Sequence, residues 1–188
     1  LHEYDGVLPI TIEAVPEGTV VPVSNALMTI VNNDPKCYWL TNLIETLLMK
    51  VWYPTTIATQ SYFIRKDVEA ALEKSGDPAG INFKVHDFGY RGVSSEETAA
   101  IGGAAHLTSF MGTDTIAGIR MLRKYYGGGM PGHSIPATEH SIICSYGRDG
   151  ELAACENFLD TFPTGLIACV SDTYDIYNAC KEIWGGKD

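Results

Sequence analysis

The sequence predicts an α/β fold: a parallel α/β barrel, or part of one, behind a small β-rich N-terminal piece. Three observations carry that prediction. Four successive units each run a short apolar segment into polar residues and then into a helix or irregular turn, the repeating plan of a parallel α/β architecture. The polar residues at those ends are Arg91, Asp114, His140 and Asp172. Residues 1–34 differ, with short alternating runs and turn residues in place of helical periodicity. The expected division is a β-rich piece over 1–34 and a partial α/β barrel domain over 35–188.

Leu8 to Val15 alternates as a strand, Pro16-Glu17-Gly18-Thr19 reads as a turn, and Val20 to Val23 and Ala26 to Val31 supply further strands. Asp34 and Pro35 offer an N-cap and a first-turn proline. The helix after them carries Trp39, Leu40, Leu43, Ile44, Leu47, Leu48 and Val51 on a broad apolar face and is expected to be largely buried. Pro54 is expected to break it, with a second helix over 56–74 stopped by Gly76-Asp77-Pro78.

Ile81, Phe83 and Val85 alternate with Asn82 and Lys84, which predicts a half-buried strand running up to His86. Ser94 with Glu97 is a capping-box spacing, and the helix behind it is rich in Ala and Gly, so backbones can approach closely there. Phe110 to Thr115 repeats the pattern ahead of a helix marked by Ile116, Ile119, Leu122 and Tyr126. Gly127-Gly128-Gly129 then follows a helix instead of preceding one, which reads as a helix stop and not a phosphate loop. A third unit spans His133 to His140, with a helix expected from Glu151 to Phe162. The fourth is the apolar run Leu166 to Val170, ending at Asp172 and leading into a helix through Trp184.

The chain has 188 residues, 20.5 kDa, with 45% hydrophobic residues, enough for a well-filled domain. Its formal net charge is −10 with a pI near 4.8, and thirteen Lys and Arg are scattered without a stripe, so neither a nucleic acid nor an anionic membrane is an expected partner. Five cysteines without CxxC spacing read as reduced core residues of an intracellular protein. With no signal-peptide pattern and no apolar run of bilayer length, a cytoplasmic location is expected. The start at Leu1 and the end just past Gly185-Gly186 suggest a piece of a longer protein.

An Arg, a His and two carboxylates at strand ends, with the ring of Phe88 in the same row, can bind an anion and a flat polar heterocycle together. Each has a plainer alternative: Arg91 could pair with Asp87, Phe88 could be a core ring, Asp114 could cap the helix after it, and Glu139-His140-Ser141 could be a helix-start cluster. His86, His106, His133 and His140 lack the spacings that bring two imidazoles to one ion, and His106, among small apolar neighbours in a helix, reads as structural. Walker A, G-x-G-x-x-G and G-x-S-x-G patterns are missing from the sequence.

Four long stretches carry a resemblance: His86 to Ser95, Gly112 to Thr115, Pro136 to Ser141 and Val170 to Asn178, joined by Ala14 to Gly18 and Asp34 to Asn42. In this order they resemble the central part of the nicotinamide phosphoribosyltransferase family. The resemblance implies a type II phosphoribosyltransferase, an irregular, TIM-like α/β barrel with a β-rich N-terminal part, working as a homodimer with sites at the interface. It implies transfer of phosphoribosyl from phosphoribosyl pyrophosphate, with Mg2+, to nicotinamide, giving nicotinamide mononucleotide and pyrophosphate.

By the same resemblance Phe88 stacks on the pyridine ring, Arg91 contacts phosphate, Asp114 accepts from the carboxamide, and Ser134 and Ile135 join the substrate-binding residues. His140 matches the histidine that family members can phosphorylate with ATP, and Asp172 stands near the ribose. His133 replaces a tyrosine of vertebrate relatives at the tunnel wall. The family's later barrel strands, with more phosphate-binding elements, have no counterpart here, so residues 1–188 alone are expected to hold about half of a site and to turn over little. A catalytically silent fragment acting by association and a nicotinate-using enzyme remain as alternatives, the latter disfavoured by the charge of Asp114.

Overall fold

The alternation near the N-terminus closes as a hairpin in which β1 (Ile10–Ala14) pairs antiparallel with β2 (Met28–Asn32), Ile12 opposite Ile30. This structure is a computed structural model that describes residues 2–186, and it is a mixed α/β arrangement. The expected strand at Val20–Val23 lies instead in the loop between β1 and β2. Pro22 brings no N–H to a ladder, its carbonyl takes the Asn25 amide at 3.1 Å, and Ser24 adopts a left-handed φ of 68°, so the chain turns there. The chain divides into two compact units, Leu1–Gly132 and His133–Asp188.

Asp34 caps as expected, its carboxylate accepting from the Lys36 amide at 2.8 Å, but it opens a 3-10 turn, Pro35–Cys37. The α-helix starts later, as α1 (Leu40–Leu48). Its expected burial is corrected: Leu40 is buried, while Trp39, Leu43 and Leu47 are 44%, 64% and 65% exposed. A two-stranded hairpin covers one side of a helix, and the apolar stripe of α1 is wider than its contact with β2. The break before α2 (Trp52–Ser75) is a 3-10 turn, Met49–Val51, and Pro54 falls in the first turn of α2, where its missing N–H costs no intrahelical bond. At the far end the Gly76 amide closes on Leu72 O at 2.8 Å.

The strand expected over 81–85 is also corrected. Asp77 accepts from the Ala79 amide at 2.9 Å and Pro78 presets φ, so Pro78–Phe83 winds as a 3-10 helix and β3 is reduced to His86–Asp87. The helix after it, α3 (Glu96–His106), is capped one position later than the expected box: Ser95 Oγ accepts from the Thr98 amide at 3.1 Å. β4 (Gly112–Thr113) lies parallel to β3, and α4 (Ile116–Tyr125) follows it, ending ahead of Gly127 and Gly128 at φ +65° and +110°.

Small residues let α3 and α4 touch backbone to backbone. A Cβ on Gly118 would lie 2.8 Å from the Gly103 carbonyl carbon and 3.0 Å from the Ala104 nitrogen. Gly118→Ala is therefore expected to push the helices apart at a cost of about 1–3 kcal/mol. Thermal unfolding checks it against Gly80→Ala, whose Cβ would make an ordinary 3.5 Å contact with Lys84.

In the second unit a parallel bridge joins Ala137 to Ala168, with the Ala168 amide on Pro136 O and the Thr138 amide on Ala168 O, both at 3.0 Å. The apolar stretch after His140 folds as α5 (His140–Tyr146), followed by α6 (Glu151–Thr161). Asp175 caps α7 (Ile176–Asn178), which continues as a π-helical turn, Ala179–Trp184. Cys155, Ala179 and Ile183 form the core here, with Cys169 packed against them. Cys155 and Cys169 meet as thiols at 3.7 Å, and burial pushes the Cys155 thiol up to about 12, which keeps it unreactive. All five cysteines are free, but Cys144 and Cys180 are exposed, against the expectation of core positions, because they fall on the outer sides of their helical turns. No helix among the described residues is long and apolar enough to cross a membrane.

Candidate active site

In the first unit two parallel strands end side by side. His86 stands opposite Gly112 and Asp87 opposite Thr113, so Phe88 and Asp114 emerge as neighbours at the carboxyl edge, where α/β enzymes place their ligands. The Asp114 amide donates to Asp87 O at 2.7 Å, and the hydroxyls of Thr113 and Thr115 also approach that carbonyl, each at 3.4 Å. Gly112 is required by the His86 ring, since a Cβ there would lie 2.6 Å from Nδ1. Asp87 Oδ1 accepts from the Gly89 amide at 2.9 Å and folds the chain into a 3-10 turn, Gly89–Gly92, that carries Arg91.

Phe88 is 67% exposed, so it is no core ring and its face is open for stacking. Arg91 and Asp114 are exposed beside buried Thr113 and Thr115, charged groups at the rim of a packed floor. Asp114 is not the cap residue of α4: that position belongs to Thr115, whose hydroxyl turns toward Asp87 O.

Beneath this rim His106 is structural, as expected. Its Nε2 meets Gly112 O at 3.1 Å, its Nδ1 meets Ser61 Oγ at 3.2 Å, and its ring stacks on Phe110 at 5.2 Å. A carbonyl only accepts, so the proton sits on Nε2 and Nδ1 takes the serine hydroxyl. Burial pulls the imidazole below its usual 6.5, against the opposing effects of the Gly112 carbonyl and Asp87. The unfolded chain then binds more protons than the folded one below about 6.5, so this contribution is complete above that pH and is lost as pH falls. We expect the urea midpoint to drop between pH 7.5 and pH 5.5, and His106→Gln to flatten that difference.

In the second unit His140 opens α5, and Asp172 and Thr173 follow the Leu166–Val170 segment. Asp172 Oδ1 lies 3.6 Å from His140 Nε2, and Thr173 Oγ1 lies 3.0 Å from Nδ1. The structure thus brings His140 and Asp172 together. Nothing in its residue type marks Thr173; its position directly after Asp172 is the available signal. Ser134 and Ile135 lie in the extended segment ahead of the Ala137 bridge, with the Ser134 hydroxyl on Ile135 O at 3.3 Å.

A model of the nicotinate phosphoribosyltransferase (NAPRTase) family matches residues 83–187, more than half of the chain. The chain belongs to the nicotinate phosphoribosyltransferase family. That match covers β3 to the last helical turn and includes each of the rim residues above. Curated relatives extend the likeness to the hairpin and α1. A nicotinamide phosphoribosyltransferase of Xanthomonas campestris pv. campestris is 52% identical over 184 residues, 96% of this chain and 39% of that one. Proteins of the same name from Acinetobacter baylyi and Mycoplasma pneumoniae are 36% and 32% identical, over 97% and 94% of this chain and 37% and 38% of theirs. This member of the phosphoribosyltransferase family therefore spans about two fifths of the length of the curated relatives it matches.

Among the described residues, no group of three or more His, Cys, Asp and Glu could hold a metal ion.

Proposed function

We propose that the whole protein transfers phosphoribosyl from phosphoribosyl pyrophosphate to nicotinamide, giving nicotinamide mononucleotide and pyrophosphate. The observation that carries this reading is the placement of an open aromatic ring, Phe88, beside an exposed carboxylate, Asp114, at the ends of two paired strands. A pyridine ring bearing a neutral amide suits that pair: Phe88 stacks on the ring and Asp114 accepts from the carboxamide N–H. A nicotinate carboxylate at the same place would meet like charge, which disfavours the nicotinate-using alternative.

The ring nitrogen attacks the anomeric carbon of the ribose while the bond from that carbon to pyrophosphate breaks. Positive charge builds on the sugar and negative charge on the departing oxygens. Asp172 stabilises the first and Arg91 the second, while Ser134 and Ile135 contribute to binding the substrates. Magnesium would accompany phosphoribosyl pyrophosphate as its counter-ion and would offset negative charge on the departing pyrophosphate. His140 is exposed enough to meet ATP as a phosphoryl donor that activates the enzyme.

The proposal includes an irregular TIM-like barrel, supported in each unit by one parallel strand contact, and a homodimer, for which the exposed apolar side of α1 offers surface. It also includes a cytoplasmic setting, in keeping with five free thiols. The test is the full-length protein assayed with phosphoribosyl pyrophosphate and each base. Mononucleotide formation from nicotinamide at a higher kcat/KM than from nicotinate supports the proposal. Turnover of nicotinate alone, or of neither base, defeats it.

A further inference from the structure

We propose that Thr173 is a positioning residue for His140, holding the imidazole through Nδ1 in both of its charge states. The functional side of this inference rests on the reading of His140 as a reacting group; the contact itself does not. Thr173 Oγ1 is 3.0 Å from Nδ1 and Asp172 Oδ1 is 3.6 Å from Nε2, so two adjacent residues bracket the ring at its two nitrogens.

A neutral imidazole carries one donor and one acceptor nitrogen, and an ionised carboxylate only accepts. The proton therefore sits on Nε2, facing Asp172, and Nδ1 accepts from the Thr173 hydroxyl. When the ring is protonated both nitrogens donate, and the same hydroxyl rotates to become an acceptor. A hydroxyl can serve both states, which a carboxylate or an amide N–H cannot. Asp172 does not fix the ring by itself: 3.6 Å is an ion-pair distance beyond a good hydrogen bond, and the two side chains are 56% and 63% exposed.

Thr173 is stiffer. It is half-buried, and its β-branch restricts χ1. The chain is pinned on either side of it: Ser171 Oγ accepts from Trp184 Nε1 at 2.9 Å, and the Asp175 carboxylate takes the Tyr177 and Asn178 amides at 3.0 and 3.1 Å. The hydroxyl that meets His140 therefore projects from a segment anchored before and after it.

The experiment uses the full-length protein with Thr173→Val, which keeps shape but removes the hydroxyl, and Thr173→Ser, which restores it. Nitrogen NMR of the His140 ring and steady-state kinetics are the readouts. Wild type and Thr173→Ser should show an Nδ1 resonance displaced by the hydrogen bond it accepts, whereas Thr173→Val should show Nδ1 at the position of an unbonded ring nitrogen. With that loss kcat should fall by about tenfold at unchanged KM, the scale of one hydrogen bond to a group that gains charge. In a His140→Ala background Thr173→Val should cost nothing further.

An Nδ1 resonance in Thr173→Val unchanged from wild type would overturn the proposal, as would an undiminished kcat or the same loss with His140 already removed. If His140→Ala alone leaves turnover unchanged, the reading of His140 as a reacting group fails. The NMR comparison still decides, in that event, whether Thr173 holds the ring.

Discussion

Asp172→Ala in the full-length protein is expected to lower kcat by about 10²-fold or more, the scale on which one preorganised electrostatic group stabilises a developing charge. The carboxylate acts when the sugar becomes positive, so its loss raises the barrier more than it weakens substrate binding, and KM should move little. Asp172→Asn keeps the shape without the charge and should be impaired nearly as much. Stability should not follow, because Asp172 is 63% exposed and its contact with His140 lies at the surface, where such pairs contribute little. Stopped-time assays alongside thermal melts separate the two effects. A variant that melts as wild type and turns over as wild type would remove Asp172 from the reaction.

Asp114→Ser should shift preference from nicotinamide toward nicotinate by a factor of roughly ten or more, since a hydrogen bond to a charged acceptor contributes about 1.5–3 kcal/mol. The substitution leaves local structure in place. Two backbone bonds of this residue are independent of its side chain, the amide to Asp87 O at 2.7 Å and the carbonyl from the Ile116 amide at 3.2 Å. Serine still offers a hydroxyl to the base but no longer repels a carboxylate. The measurement is the ratio of kcat/KM for the two bases in wild type and variant. An unchanged ratio would mean that Asp114 does not read the ligand, and the substrate assignment would lose its strongest support.

The sequence by itself determined what depends on a few neighbouring residues. Asp34 caps the turn after it as expected, and the start of α3 was legible to within one position, at Ser95 in place of Ser94, because a short polar side chain meets amides only two or three positions ahead. Gly127 and Gly128 end α4 for the same local reason, a left-handed backbone that side chains disfavour. The order of Arg91, Asp114, His140 and Asp172 at segment ends, and the structural part played by His106, were legible as well.

Tertiary structure decided what needs a partner distant in the chain. Alternation at Ile81, Phe83 and Val85 suits a strand, yet only His86 and Asp87 found a distant partner in β4, and Ile81 and Phe83 stayed in the 3-10 helix that the local Asp77-Pro78 cap opens. The apolar stripe of α1 foretold burial, but a hairpin had room for one side of it. That Phe88 faces outward, that Gly118 seats against Gly103, and that Thr173 meets His140 across 33 positions all follow from packing between segments. Periodicity marks which side of an element is apolar; which neighbour covers that side, and which polar atoms then meet, is fixed when distant segments come together.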